Sequence, residues 1–211
     1  EGSVKTVSSL VQNSLEDASL DQLESQVEHS RDLFGEIAYN TKGVRTYYFR
    51  IDPKVSDTVK GFWYVNQEGE GFQEHEVTDI TDYDTNDTSQ LVWFTVPKAT
   101  GKGIWLPPYY TENLGELVIS YNVPVYYKDV FVGVIGIEID YAMLAREVEN
   151  ISVFKSGYAF ILDEDSNVIY HPQIDASNLM NQDAAAIPDE LHSDDKLIKY
   201  EFNGVEKEAD S

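Results

Sequence analysis

Thirty-eight aspartates and glutamates stand against 15 lysines and arginines in this 211-residue chain, so any search for chemistry begins with carboxylates. With so many acids, close pairs arise by chance, and a two-carboxylate hydrolase cannot be argued from spacing. The four histidines, His29, His75, His171 and His192, fall on different stretches and make no paired helical zinc spacing. The absence of cysteine excludes disulfides, thiolate metal sites and a thiol nucleophile. No phosphate-binding loop, dinucleotide fingerprint or nucleophile elbow is present, and Gly69-Glu-Gly71 and Gly101-Lys-Gly103 read as turns. Asp82, Asp84 and Asn86 occupy alternate positions as in a calcium loop. Asp87 and Trp93, however, stand where glycine and glutamate are needed, so the run reads as a solvated loop. No catalytic residue, metal site or cofactor is expected.

The remaining chemistry is recognition, and alternation along strands locates it. Ile119-Ser-Tyr-Asn-Val-Pro-Val125 and Ile135-Gly-Ile-Glu-Ile-Asp140 both alternate apolar with polar or small residues. A hairpin loop of Lys128, Asp129 and Val130 sets Ser120 beside Glu138 and Asn122 beside Gly136, with Ile119, Tyr121, Val123 and Val125 sharing the other face with Ile135, Ile137 and Ile139. A two-residue loop would slip the register and mix Glu138 with Ile119, so the three-residue loop is favoured. The same alternation groups Tyr48 with Arg50, opposite Tyr47, Phe49 and Ile51. A face with an acid, an arginine, an amide and aromatic walls has the make-up of a small-ligand pocket. The plain alternative is that Arg50 and Glu138 pair with each other, or that the polar face is simply solvated. Aromatics crowd the surrounding segments, at Phe62, Trp63, Tyr64, Phe72, Trp93, Phe94, Trp105, Tyr109 and Tyr110. Most read as core, but Trp105-Leu-Pro-Pro-Tyr109 reads as a Pro-broken loop whose rings could line a ligand site.

Several elements must position these residues. Val4, Val7, Val11, Leu15 and Ala18 keep the helical period, and a second helix is expected over about 20–39, from a Ser19/Gln22 capping box to Asn40 and Gly43. A break between the two is expected near residue 18. Short β-rich runs follow at 44–52, 61–66, 91–96, 117–127 and 131–140, with a helix over 141–150. This is an α+β layout in which the long helix covers an antiparallel sheet. A second β-rich unit begins with the hairpin 157–162 and 167–171. It continues through a polar stretch to a strand at 196–202 and the turn Asn203-Gly204, where it ends without a return strand. The expected division is a helical stalk over 1–43, a complete module over 44–145 and an incomplete one over 146–211.

A net charge of −23, with acids in excess both before and after residue 140, makes nucleic acid and anionic lipid poor partners. The longest apolar stretch, Val130 to Ile137, is far short of the roughly 20 residues that cross a bilayer. No signal peptide opens the chain, and its last residues stop without an element boundary, so it reads as a fragment of a longer protein.

The ordered series resembles a bacterial double Cache (dCache) extracellular sensor domain. It runs from the long helix through Val44-Arg-Thr-Tyr-Tyr-Phe-Arg50-Ile-Asp-Pro53, Gly61-Phe-Trp-Tyr64, Trp93-Phe94, Gly103-Ile-Trp105 to Tyr109 and Ile119–Val125 to Gly133-Val-Ile-Gly-Ile-Glu138-Ile-Asp140. Ser156-Gly-Tyr-Ala-Phe-Ile-Leu162 running to Ile169-Tyr-His-Pro172 resembles the start of the membrane-proximal module. The resemblance implies a long helix on a PAS-like sheet followed by a second, truncated PAS-like module. It also implies a non-enzymatic receptor ectodomain outside the bacterial cell membrane, feeding a diguanylate cyclase, histidine kinase or chemoreceptor. The expected ligand is a small amine, amino acid or carboxylate held in the distal module. Tyr48, Arg50, Tyr64, Trp93, Trp105, Tyr109, Asn122 and Glu138 are the residues expected to hold it. In amino-acid-binding members an arginine two residues before a Trp-Tyr pair grips the carboxylate. Leu91-Val92-Trp93-Phe94 lacks it, and Thr111 stands where an acid would follow Pro108-Tyr109, whereas Glu138 occupies its acid position. Arg50 is left to clamp a carboxylate from another strand. The competing expectation is an ectodomain without a ligand that dimerises, or docks a partner, through its N-terminal helix.

Overall fold

The computed structural model describes residues 2–16, 22–67, 69–151, 157–181, 186–192 and 197–210. The expected break near residue 18 and its Ser19 cap lie outside them. The first helix, α1 (Gly2–Glu16), turns Val4, Val7 and Val11 inward. The second, α2 (Leu23–Tyr39), buries Leu23, Val27, Ser30, Phe34 and Ala38 at spacings of four, three, four and four, one stripe of a helix surface. It ends where the Asn40 side chain donates back to the Glu36 carbonyl at 2.7 Å, and Gly43, at φ 82°, turns the chain into the sheet.

Six strands form that sheet: β1 (Val44–Ile51), β2 (Gly61–Val65), β3 (Gln73–His75), β4 (Ile104–Thr111), β5 (Glu116–Tyr127) and β6 (Val130–Asp140), in the spatial order β3-β2-β1-β6-β5-β4. The long strands β1 and β6 pair antiparallel at its centre. One face carries Tyr47, Phe49, Ile51, Phe62, Tyr121, Val125, Ile135 and Ile137 against the two helices, as the alternation requires.

Four expectations are corrected. Residues 91–96 are not a strand: α3 (Val92–Thr100) is a helix started by Leu91 in the left-handed region, with Thr95 Oγ1 donating to the Gln90 and Leu91 carbonyls. Its aromatic and β-branched composition mimics a strand, and burial of Phe94 overrides that propensity. The expected Pro-broken loop is strand β4, which the sheet order puts at the edge, where missing proline N–H groups interrupt no ladder. The β5–β6 loop has two residues, Lys128 and Asp129, both at positive φ, and β6 begins at Val130. Near the turn Tyr126 meets Phe131, and Val125 and Val132 both join the helix-side core, the register of a two-residue loop. Farther along, Tyr121 lies with Ile135 and Ile137, and Asn122 beside Gly136, as expected. Gly133 pairs with Ile51 in the β1–β6 ladder, unbroken from Thr46 to Ile51, and a Cβ there would run into the Arg50 backbone. Finally, the chain does not stop at Asn203-Gly204: both take positive φ, and β10 (Val205–Asp210) returns along β9 (Leu197–Phe202).

The chain divides into two compact units. Unit 1 comprises residues 1–106 and 120–140; unit 2 comprises residues 107–119 and 141–211. Unit 2 contains α4 (Tyr141–Glu149), the hairpin β7 (Ile161–Leu162) and β8 (Val168–Tyr170), α5 (Ala176–Met180), a 3-10 turn at Asp189–His192, and the β9–β10 pair. Its core is Val168, Ile174, Leu179, Ile187, Leu191, Ile198 and Tyr200. Asp163 closes the β7–β8 turn by accepting from the Asp165 and Asn167 amides, and Asp175 caps α5 from Ser177.

Candidate ligand site on the polar face of the sheet

The sheet face turned away from the helices in unit 1 is polar but not solvated. Alternation sends Thr46, Tyr48 and Arg50 to it from β1, and register pairs them with Glu138, Gly136 and Val134 of β6. Ser120 and Asn122 arrive from β5, both fully buried. The Tyr48 hydroxyl donates to Asn122 Oδ1, and Asn122 Nδ2 donates to Ser120 Oγ at 2.9 Å. Only glycine fits beneath this pair, because a Cβ on Gly136 would lie 2.6 Å from Asn122 Oδ1 and from the Tyr48 hydroxyl. Burial, with the Glu138 charge adding to it, pushes the Tyr48 phenol well above the ordinary tyrosine range. Tyr48 therefore stays a neutral donor.

Glu138 is half-buried, and its Oε2 accepts from Thr46 Oγ1 at 2.7 Å. Trp93, on the first turn of α3, sets its ring edge-on to Tyr48 at 5.3 Å. An acid, a neutral phenol, an amide and an indole thus converge: a carboxylate to accept from a cation, with an aromatic wall beside it.

Arg50 shares this face and is 3% exposed. Its Nε donates to the Thr78 carbonyl at 2.9 Å, and its Nη1 donates to the Ile51 and Lys60 carbonyls at 2.7 and 3.0 Å. Burial lowers its pKa. The guanidinium is engaged in holding the chain that follows β3, so the expected carboxylate clamp is corrected to an anchor, and it does not pair with Glu138 either. A second anchor was not anticipated. Lys98 of α3 bonds Asp52 Oδ2 at 2.9 Å and Thr85 Oγ1 at 2.7 Å, with its ammonium near the Phe94 and Phe131 rings. Lys98 followed a segment read as a strand, so nothing in the sequence aimed it at Asp52. The two anchors tie the segment between β3 and α3 over the sheet, where Ile80, Phe94 and Val134 form a small core. Within that segment Asp79, Asp84 and Asp87 each fold back onto the amide two residues on.

The structure therefore brings Tyr48, Trp93, Asn122 and Glu138 together, with Arg50 behind them. Thr46 belongs with them and was legible as the next alternate position of β1. Tyr64 is on the other face, its ring stacked on Tyr47 at 5.0 Å, and Trp105 packs on Tyr121 in the helix-side core. These two are corrected away from the Glu138 face by strand alternation. Tyr109, half-buried, falls in the segment 107–119 that groups with unit 2. Among the described residues no three histidine, aspartate or glutamate side chains could hold a metal ion, and no helix is long and apolar enough to cross a membrane.

With this geometry in place, comparison with known proteins is informative. The methyl-accepting chemotaxis protein PscA of Pseudomonas syringae pv. tomato is 22% identical over 151 residues, which is 71% of this chain and 24% of that protein. The extracellular domain mmHK1S-Z3, assigned to a histidine kinase, is similar in fold at a TM-score of 0.57 and 14% identity, over 90% of this chain and 78% of that one. The ligand-binding domain of the Pseudomonas aeruginosa amino acid chemoreceptor PctB, in complex with L-Arg, gives 0.52 at 16% identity, over 98% and 77%. Residues 1–206 match the Cache domain family dCache_1. The chain therefore belongs to the Cache domain family, the extracellular sensor domains of chemoreceptors and histidine kinases.

Proposed function

We propose that the chain is the ligand-binding part of a membrane-anchored bacterial signal transducer, does no catalysis, and takes a small molecule bearing an ammonium group on the Glu138 face of unit 1. The observation that carries this reading is the convergence of the half-buried Glu138 carboxylate with the Tyr48–Asn122–Ser120 network beside the Trp93 ring. Burial keeps Tyr48 and Asn122 as fixed dipoles, which costs no reordering when a guest arrives. An amine or amino acid suits Glu138, and PctB, similar in fold, is a chemoreceptor for amino acids. With Arg50 already bonded to carbonyls, a guest carboxylate would have to rely on other donors, which favours simple amines. The guest would signal by favouring one arrangement of α3 and the anchored segment over another. Unit 1 is the membrane-distal module in this reading and unit 2 the membrane-proximal one.

A second reading is a module without a ligand that dimerises through its N-terminal helix. The edge-on packing of Trp93 against Tyr48 over Gly136 favours it, since this face is well filled. Against it, α1 spends Val4, Val7 and Val11 inside unit 1. A thermal-shift screen of amines, amino acids and carboxylates separates the two. Stabilisation by an amine, abolished in Glu138→Ala, supports the site. No stabilisation by any compound, with a concentration-dependent dimer instead, supports the second reading.

A further inference from the structure

We propose that unit 2 carries a site of its own, in the seam between its two hairpins, for a small aliphatic monocarboxylate. The β7–β8 and β9–β10 pairs are separate two-stranded sheets, joined by side chains rather than by a shared ladder. His171, directly after β8, sets its ring 5.2 Å from that of Phe202 on β9. The Tyr158 and Tyr200 hydroxyls bond across the same seam at 2.9 Å, and Lys207 of β10 puts its ammonium over the Tyr158 ring, 5.2 Å from the centroid. Tyr158 and Phe160 complete the wall, their rings 5.1 and 5.7 Å from the imidazole. His171 is 1% exposed, whereas Tyr158, Phe160, Phe202 and Lys207 are half-buried, so the seam meets water along that side.

Two independent observations call for an acceptor there, and for a negatively charged one. Nδ1 of His171 accepts from the Gln173 amide at 3.2 Å, which places the proton on Nε2, and that buried N–H has no hydrogen-bond partner among the described residues. A donor shut off from water and left without an acceptor is costly, and such groups are rare in folded proteins. The second observation is Lys207. Acids outnumber bases 38 to 15 in this chain, yet among the described residues Lys207 makes no ion pair. Strand alternation explains why: Glu201, Glu206 and Glu208 stand on the opposite, exposed face of the β9–β10 hairpin. After burial, the Lys207 charge is what keeps the imidazole neutral, so ammonium and ring share one neighbourhood. One carboxylate answers both, with an oxygen accepting from Nε2, its charge facing the ammonium, and a short alkyl chain left among the Phe160 and Phe202 rings. A second carboxylate would find no cation, which restricts the guest to a single charge. None of these residues belongs to the Glu138 face, so the site stands apart from the amine reading.

Propionate and its uncharged analogue propionamide are the probes, titrated into the whole isotope-labelled chain while the His171 Nε2–H resonance is followed. The expected result is a saturable downfield shift with propionate, about tenfold weaker binding of propionamide, and about tenfold weaker binding of propionate in Lys207→Met. Lys199→Met removes the same charge from the exposed face of the same hairpin and leaves propionate binding unchanged. The propionamide comparison is made on the unaltered chain, so the test holds even should Lys207→Met fail to fold. The proposal is overturned if propionate gives no saturable shift, if propionamide binds as tightly, or if Lys199→Met weakens propionate as much as Lys207→Met does.

Discussion

Gly136 shows how a single residue without a side chain can decide what a sheet face is for. Because Asn122 and Tyr48 close over its Cα, Gly136→Ala forces that pair apart. The expected cost is about 1–3 kcal/mol of overpacking in chemical denaturation. Tyr48→Phe keeps the shape but leaves Asn122 Oδ1 without its donor. A loss of about 1–3 kcal/mol is expected, and a stability equal to wild type would mean the bond carries no weight. In unit 2, His171 is buried among the Tyr158, Phe160 and Phe202 rings, with Nδ1 accepting from the Gln173 amide. Burial, and then Lys207, lower its pKa from 6.5 to about 4. The folded state therefore holds His171 neutral while the unfolded chain takes up a proton below about 6.5, so stability falls as pH drops from there toward 4. By pH 5 the wild type should lose ~2 kcal/mol more than His171→Phe, relative to pH 7. Equal acid sensitivity of the two would contradict the burial argument.

Elements tell a different story, because what a strand or helix does depends on what covers it. The alternation of β1, β5 and β6 revealed both faces of the sheet, and the three- and four-residue spacing of α2 revealed its cover. Alternation could not reveal that the second face is roofed. The roof depends on Lys98 reaching Asp52 and Arg50 reaching the Thr78 carbonyl, contacts 46 and 28 residues apart in sequence. α3 was hidden because Trp93, Phe94, Thr95 and Val96 favour a strand until Phe94 finds its pocket against Val134 and Ile80. Likewise Tyr64 could be put on the Glu138 face only while its pairing with Tyr47 was unknown. If the roof is held as described, Lys98→Met strands a buried aspartate whose carboxylate, among the described residues, is otherwise bonded to the Lys54 amide alone. Loss of about 3–5 kcal/mol is expected. A loss below about 1 kcal/mol would show that Asp52 finds other partners.

At the scale of the whole chain, a net charge of −23 opposes compaction throughout. Raising ionic strength from about 10 mM to about 150 mM shortens the screening length from about 30 Å to about 8 Å and should raise the melting temperature. A fall would mean that the attractive pairs, such as Arg45 with Asp140 at 3.2 Å, outweigh the repulsion. For recognition, the same charge draws cations toward the molecule in general, so affinity for amines is not by itself proof of a site. The most direct measurement is therefore positional: amide and indole resonances followed while an amine that stabilises the chain is titrated in. The account predicts shifts centred on Tyr48, Asn122, Gly136, Glu138 and the Trp93 indole, disappearing in Glu138→Ala. Shifts that spare those five residues, or that persist unchanged without the Glu138 carboxylate, would contradict it.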